Sequence, residues 1–315
     1  MKISVCIVAY NHARYIEDCL ASVVGQQVDV DLEILVGDDC SSDDTRKIIS
    51  SYAERYPKVV HPVFHEKNVG GSQNYRTLIG LSSGDYIAHL DGDDYWLPGK
   101  LAAQLAFARQ HPDSVAIYSN AIVINDSGQL IARFNSCIPD EFDLSFLVAK
   151  GNFLNASSML YRAEYKQLLL GLSGETVDYL FHILFASRGR LGYVNRDLVA
   201  YRRHSATSIS SAMPQALLSQ YWEAMMQASA FGVDVPALRQ CMQLYCHSLI
   251  VFSLKQGRLG ELAHKFAKMR RECRAFSYGL VLRVLIKMPL RVFRTIWRSA
   301  NLRLLGDTLV VLYRR

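Results

Sequence analysis

The stretch Gly84-Asp85-Tyr86-Ile87-Ala88-His89-Leu90-Asp91-Gly92-Asp93-Asp94-Tyr95-Trp96 decides how this chain is read. Tyr86–Leu90 is short and apolar enough for a buried strand, and it runs straight into three carboxylates within four positions. In open α/β sheets, ligands bind at the carboxyl ends of the strands, so acidic side chains there point to a site. Carboxylates packed this closely repel one another unless a cation or basic groups partner them. Hard divalent ions such as Mg²⁺ or Mn²⁺ take a few carboxylates and complete their shell with water and phosphate oxygens, which makes Asp91 and Asp93 candidate metal ligands. Asp94 alone reads as the cap of the helix that follows.

The segments before this stretch alternate as βαβ units do, which implies a mostly parallel central sheet. Ile3–Ala9 is a β-branched strand, and Ala13–Gly25 carries Ile16, Leu20, Val23 and Val24 at helical spacing, with Glu17 and Asp18 where the helix dipole favours them. Leu32–Val36 is a second strand, opening into the acidic turn Gly37–Asp44 and a helix over 43–56 that Pro57 closes. Val59–His65 reads as a strand and Ser72–Leu81 as a helix. Two strands therefore deliver carboxylates to one sheet edge. An Asp there can accept hydrogen bonds from a nucleobase imide or ribose hydroxyls, whereas Ser42 and Asp43 are placed to cap the next helix.

Beyond Pro98 the pattern predicts a helix at Lys100–Arg109, paired strands at Val115–Ser119 and Ala121–Asn125, and a turn at Asp126-Ser127-Gly128 into Leu130–Phe134. A strand at Ser157–Arg162, a helix at Asp178–Ser187 and short strands at Leu191–Asn195 and Leu198–Tyr201 follow. Ser205–Pro214 is the linker candidate, and from Gln215 onward the pattern is helical. The organisation expected is an α/β domain over residues 1–210 and a helical region over 211–315.

Half of the 315 residues are hydrophobic and a fifth are charged, which excludes disordered and collagen-like chains. The net charge of +6 is unevenly spread: residues 1–210 carry 19 Lys/Arg against 24 Asp/Glu, and residues 211–315 carry 16 against 5. An acidic first part is a poor binder of phosphate backbones, so no nucleic acid partner is expected. The cysteines (Cys6, Cys19, Cys40, Cys137, Cys241, Cys246, Cys273) form no CxxC pair and show no zinc spacing, which speaks for a reducing compartment. The apolar run Ile3–Tyr10 stops at Asn11-His12 without a cleavage site, so no signal peptide is expected. The nearest approach to a membrane span, Gln240–Leu254, is too short to cross a bilayer.

Five motifs now stand in order: Val8-Ala9-Tyr10-Asn11, Asp38-Asp39-Cys40-Ser41-Ser42-Asp43, Asn68-Val69-Gly70, Gly84–Asp94, and Tyr201-Arg202-Arg203-His204. In that order and spacing, over about residues 1–210, the chain resembles the inverting glycosyltransferases of family 2. The resemblance implies a GT-A fold with a metal-binding Asp-x-Asp, and metal-dependent transfer from a nucleoside diphosphate sugar donor. It implies that Ala9, Tyr10 and Asn11 line the nucleotide cleft, that Asp38 contacts the base, and that Asp39, Asn68 and Gly70 belong to the nucleotide-sugar site. Arg76 would reach the diphosphate, Asp91 the ribose, and Asp91 with Asp93 the Mg²⁺ or Mn²⁺ ion. His204 would ligate the metal or donate to the leaving phosphate, with Arg202 or Arg203 adding charge. Tyr75 stands where many members carry arginine, with Arg76 following, and Cys40 stands where glycine is usual. Inverting transfer needs a base for the acceptor hydroxyl. The family's position for it falls on Asp178, with Glu175 as the alternative. Tyr95 and Trp96 either pack as core or sit beneath a sugar ring.

From Lys265 to Arg315 only two residues are acidic, and Arg283, Lys287, Arg291, Arg294 and Arg298 recur among Leu282, Leu285, Ile286, Leu290, Phe293, Ile296 and Trp297. On a helix, bent at Pro289, this makes a basic stripe beside an apolar one, suited to an anionic membrane surface. A helical hairpin packed on the catalytic domain is the other reading. With the family resemblance, the tail points to a cytoplasmic enzyme, peripheral on the cytoplasmic face of the inner membrane, acting on a glycan or lipid-linked acceptor in cell-surface polysaccharide synthesis. Three rival readings stand beside this one. A sugar-nucleotide pyrophosphorylase wants a Gly-rich loop after the first strand, and Tyr10-Asn11-His12-Ala13 has no glycine. A haloacid-dehalogenase phosphatase wants Asp-x-Asp-Gly-Thr, and Asp94-Tyr95 stands instead. The third is a non-catalytic membrane-associated scaffold.

Overall fold

A computed structural model describes residues 1–203, 215–288 and 310–313. The N-terminal apolar run forms β1 (Lys2–Ala9), buried along nearly its whole length as interior strands of parallel sheets are. In α1 (Ile16–Val24) the buried residues Ile16, Cys19, Leu20 and Val23 form one stripe at helical spacing. The alternation continues through β2 (Asp31–Asp38), α2 (Thr45–Arg55), β3 (Val60–Phe64), α3 (Gly71–Leu81) and β4 (Tyr86–Asp91). These strands lie in the order β4-β1-β2-β3, all parallel.

Register positions the site. Ala9 pairs with Asp38 on one side of β1, and Val8 pairs with Asp91 on the other. With strands about 4.8 Å apart, β1 ends between two aspartates whose backbones are on the order of 10 Å apart.

Next come β5 (Tyr95–Trp96), α4 (Lys100–Gln110), β6 (Ser114–Ile124), β7 (Leu130–Asn135), β8 (Glu141–Phe142), α5 (Leu144–Lys150), β9 (Leu160–Arg162), α6 (Lys166–Leu170), α7 (Asp178–Ala186) and β10 (Arg190–Arg202). β9 joins β4 to β6 with antiparallel pairing on both sides. β6 runs parallel to β10 and antiparallel to β7, so the long ladders of the sheet are mostly parallel and the short ones antiparallel.

Four local expectations are corrected. The strands expected at 115–119 and 121–125 are one strand, β6, because the amide of buried Asn120 takes over a ladder bond: its Nδ2 donates to the Asn135 carbonyl (3.0 Å) and its Oδ1 accepts from Asn135 N (2.9 Å). The strands expected at 191–195 and 198–201 are likewise one strand, β10, with irregular register between Val194 and Val199. Ser157–Arg162 is a 3-10 turn at Ala156–Ser158 before the short β9, since the Ser158 hydroxyl turns back to the Asn155 carbonyl (2.7 Å). The last described segment, β11 (Val310–Tyr313), is a strand beside β7 rather than part of a helix.

The chain divides into two compact units, one holding Met1–Asp143 and the segment from Leu154 through β10, the other Leu144–Phe153 and the helices after residue 214. The linker candidate Ser205–Pro214 lies outside the described residues. In the second unit α5 packs against α8 (Gln215–Ala230) and α9 (Val235–Lys255), and α10 (Glu261–Glu272) follows. α9 starts on an Asp234 cap that accepts from Ala237 N at 2.6 Å. The Trp222 indole N–H of α8 donates to Glu272 of α10 at 3.0 Å. Residues 278–288 are helical, burying Leu280, Val281 and Val284 while Leu282, Leu285 and Ile286 stay exposed beside Arg283 and Lys287. Arg291, Arg294, Arg298 and the rest of the predicted stripe lie outside the described residues. Among the described residues no helix is long and apolar enough to cross a membrane.

Candidate active site

The loops leaving β1 and β2 are laced together by short polar side chains. Asn11 and Cys40 both adopt left-handed backbone, φ 56° and 61°, which accounts for glycine being usual where Cys40 stands. Asn11 N donates to Ser41 Oγ (2.9 Å) and its Oδ1 accepts from Ser42 N (2.9 Å), while His12 N and Ala13 N donate to Thr45 Oγ1 and Asp43 Oδ2. Tyr10 between them is exposed and Ala9 buried. Asp38 is fully buried at the end of β2. Its Oδ2 accepts from Arg46 Nε (2.8 Å) and Ser41 N (3.2 Å), but its buried Oδ1 has no hydrogen-bond partner among the described residues.

On the other side of β1, the acidic turn is held from three directions. His89 Nε2 lies 3.1 Å from Asp91 Oδ1. Burial works against the charge on Asp91, but the His89 imidazole beside it holds the carboxyl below the usual carboxylate range. Gly92 lies against β1 and His12; a Cβ there would come within 2.8 Å of His12 Nδ1 and 3.0 Å of the Val8 carbonyl, so the turn closes only on glycine. Asp94 does not cap α4, which begins after Gly99 at φ 79°. Instead its buried carboxylate accepts from Ser157 Oγ (2.6 Å) and Arg202 N (2.7 Å), and burial, then the charges of Asp93 and Asp91, push it well above the usual range. β5 causes this placement: Tyr95 pairs with Ala200 and Trp96 with Val199, drawing Tyr201-Arg202 onto the turn. Arg202 Nε then donates to the Asp93 carbonyl (3.0 Å), Nη1 donates to the Asn125 carbonyl (3.1 Å), and the guanidinium lies 4.4 Å from the Tyr15 ring centroid. Trp96 is core, its indole N–H donating to the Ser157 carbonyl.

A third group gathers around α3 and the segment before α7. The buried Asp39 carboxylate accepts from Val69 N (2.6 Å) and Gly70 N (2.9 Å), and Asn68 Oδ1 also accepts from Gly70 N (3.2 Å). Gly70 has φ 87°, a backbone that favours glycine, and lies against the Glu175 carboxylate, which a Cβ there would displace. Glu175 Oε2 accepts from Ser72 Oγ (3.0 Å). Arg76, expected to reach a diphosphate, has other partners: Gln73 through Nε and Nη2, and the Gly174 carbonyl through Nη1 (3.0 Å). Asp178 opens α7, half-exposed, with Oδ1 accepting from Tyr179 N (2.8 Å). A wall of buried rings runs between Asp91 and Asp178, with His89 edge-on to Tyr75 (4.5 Å) and Tyr75 tilted on Phe181 (5.9 Å).

The structure thus gathers Ala9, Tyr10, Asn11, Asp38, Asp91 and Asp93 at the ends of three adjacent strands, and ties Asp39, Asn68, Gly70 and Glu175 into one loop cluster. His204 lies outside the described residues. Sequence reasoning missed Ser157, whose hydroxyl touches Asp94 and lies 3.4 Å from Asp91. It also missed the role of Asp94; the signal was the third carboxylate itself, too close to its neighbours to remain unpartnered. Among the described residues no three His, Cys, Asp or Glu side chains converge as a metal cage. Two carboxylates on a turn still fit Mg²⁺ or Mn²⁺, ions that keep several waters and bind through one or two carboxylates plus substrate phosphates.

The chain is similar to known proteins. The family model for glycosyl transferase family 2 matches residues 4–165. An uncharacterized glycosyltransferase of Nostoc sp. is 29% identical over 76% of this chain and 80% of its own. Chondroitin synthase of Escherichia coli is 27% identical over 64% of this chain and 28% of its own. An uncharacterized protein of Mycobacterium bovis is 29% identical over 70% of this chain, which spans 63% of that relative's length. Among solved structures, S. aureus TarS 1–349 in complex with UDP-GlcNAc superposes with a TM-score of 0.65 at 20% identity, over 89% of this chain and 83% of its own. That likeness shows the fold, GT-A, with a helical region after it. With the family model covering more than half of its length, the chain belongs to glycosyltransferase family 2.

Proposed function

We propose that the protein moves a sugar from a nucleoside diphosphate sugar to an acceptor hydroxyl with inversion, in the synthesis of a cell-surface polysaccharide or lipid-linked glycan. The observation that carries the reading is the buried, unpartnered Asp38 Oδ1 at the strand end beside β1, across from Asp91. A buried acceptor without a donor costs about 1–3 kcal/mol, and a base imide N–H or a ribose hydroxyl removes that cost. TarS was solved with UDP-GlcNAc and with UDP, and chondroitin synthase is among the relatives; both support this donor and product class.

In this reading Asp91 and Asp93 hold Mg²⁺ or Mn²⁺. The ion, when bound, supplies positive charge to the diphosphate leaving group. His89 orients Asp91, and Ser157 with Arg202 locks the turn through Asp94, so that the carboxylates are set before the donor arrives. Asp178, half-exposed at the start of α7, takes the proton from the acceptor hydroxyl as that oxygen attacks the anomeric carbon.

The helix over 278–288 supports peripheral attachment to an anionic membrane. Its buried face is filled by Leu280, Val281 and Val284, leaving Leu282 (59% exposed) and Ile286 (64%) beside Arg283 and Lys287.

A nucleotide-sugar panel read by thermal stabilisation with Mn²⁺ tests the donor assignment, because a ligand of the native state raises its apparent stability. One or more nucleoside diphosphate sugars should stabilise the protein, and none should do so in chelator. With the donor so identified, Asp178→Asn should lower turnover on the order of 10²–10⁴-fold and leave donor affinity within about twofold. Loss of donor affinity in parallel would remove Asp178 from the base position.

A further inference from the structure

One buried histidine has no part in the chemistry above. His182 lies one helical turn after Asp178 in α7, on the same side, and is fully buried. Its Nδ1 is 2.8 Å from the hydroxyl of Tyr118 on β6. Its Nε2 is sealed from solvent with no hydrogen-bond partner among the described residues, and lies 4.0 Å from Asp178 Oδ2. We propose that His182 is a positioning residue for Asp178: Tyr118 fixes the imidazole so that an Nε2–H faces the Asp178 carboxylate and closes onto it when the acceptor binds. The proposal rests on Asp178 being the base.

The tautomer follows from the hydrogen count. Burial pushes the Tyr118 phenol well above its ordinary range, so it keeps its one hydrogen. Burial, then the neighbouring His89, holds His182 down to about 3, so the ring is neutral and carries one N–H. If the phenol donates to Nδ1, the ring hydrogen sits on Nε2, aimed at a carboxylate. The reverse arrangement would set a buried lone pair against that carboxylate and leave the buried phenol hydrogen without an acceptor, costing twice. The titratable groups facing the ring are Tyr118 of β6, His89 of β4 and Asp178 of its own helix. At 4.0 Å the Nε2–Oδ2 contact is too long for a hydrogen bond, and a small side-chain rotation of half-exposed Asp178 closes it. Catalytic hydrogen bonds commonly tighten in this way once substrate is bound. No proton passes through His182: the acceptor's proton goes to Asp178, and the imidazole stays neutral throughout.

Two measurements test the proposal. Nitrogen-15 NMR of the histidine side chains of the wild-type protein, with His182 assigned by its absence in His182→Gln, should show Nε2 protonated and Nδ1 bare at pH 7. A protonated Nδ1 overturns the proposal whether or not any variant folds. In kinetics, read as nucleotide release from the donor picked out by the panel, His182→Phe should lower kcat about tenfold, the scale of one hydrogen bond to a charged group, with KM for the donor unchanged. Its kcat–pH profile should have the acid limb displaced upward by about one unit, because the carboxylate has lost a donor that favours its charged form. His182→Gln, which keeps an N–H, should recover most of both. An unmoved acid limb in His182→Phe, with Asp178→Asn still crippled, overturns the positioning role alone. Wild-type turnover in Asp178→Asn instead overturns the reading on which the proposal rests.

Discussion

Replacing Asp39 by alanine should destabilise the protein by about 2–3 kcal/mol. The side chain is 3% exposed, and its carboxylate accepts from two backbone N–H groups, Val69 at 2.6 Å and Gly70 at 2.9 Å. A hydrogen bond to a charged group is worth about 1.5–3 kcal/mol. Gly70 N keeps a second acceptor in Asn68 Oδ1 at 3.2 Å, and both donors are only half-buried, so the low end applies to each. Asp39→Asn retains one acceptor oxygen and should cost about half as much. Urea denaturation of the two variants and the parent reads the difference directly, provided the slope with denaturant is unchanged. Nucleotide titration of each folded variant is the companion measurement. The reasoning is refuted if Asp39→Ala lies within about 0.5 kcal/mol of the parent, the scatter of ordinary surface changes, while nucleotide binding vanishes. Asp39 would then be a ligand contact and not the clasp of the Asn68–Gly70 turn.

Asp93→Asn should abolish Mn²⁺-dependent nucleotide binding while leaving the urea midpoint near that of the parent; wild-type binding by the variant would displace the metal from the acidic turn. Glu33, half-buried, is surrounded by donors from Lys2, Ser4 and Ser83, which outweigh the cost of burial and lower its carboxyl to about 2. Its folded-state value is depressed, so its stabilisation is complete above the ordinary glutamate range and is lost as pH falls toward 2. Glu33→Gln should flatten the stability–pH curve in that window, and an unchanged acid slope would show that the cluster is not the source. Reversing Arg283, Lys287, Arg291 and Arg294 to Glu should release the protein from anionic vesicles and leave donor binding intact, with wild-type attachment weakening as salt rises. Equal sedimentation with neutral and anionic vesicles would instead assign the tail a packing role.

The N-terminal half of the fold was legible because its strands are apolar runs that end in polar turns, as at Val36-Gly37-Asp38 and Leu90-Asp91-Gly92, and burial on both faces leaves little else for such runs to be. Legibility failed where a polar side chain stands in for backbone. Asn120 looks like a break between two strands, yet its amide completes the ladder with Asn135 inside a buried strand. Ser157 and Asp94 are far apart in sequence, and nothing local marks that a 3-10 turn brings the hydroxyl onto the carboxylate. For Arg76 the resemblance implies the diphosphate contact, while nothing local marks that Gln73 and the Gly174 carbonyl hold its guanidinium within the chain. Residues 144–153 stand between strands of the sheet in sequence, after β8 and before β9, yet they group with the C-terminal helices, because the apolar face of α5 is covered by α9.

The central claim, inverting transfer from a nucleoside diphosphate sugar at the ends of β1, β2 and β4, is tested most directly by proton NMR of the reaction as it proceeds. With the donor that the panel picks out, Mn²⁺ and an acceptor alcohol, the account predicts nucleoside diphosphate and a product whose anomeric configuration is opposite to that of the donor. It also predicts that both form on the order of 10²–10⁴-fold more slowly in Asp178→Asn and that neither forms in chelator. A product that keeps the donor's configuration, or turnover that survives both changes, would contradict it.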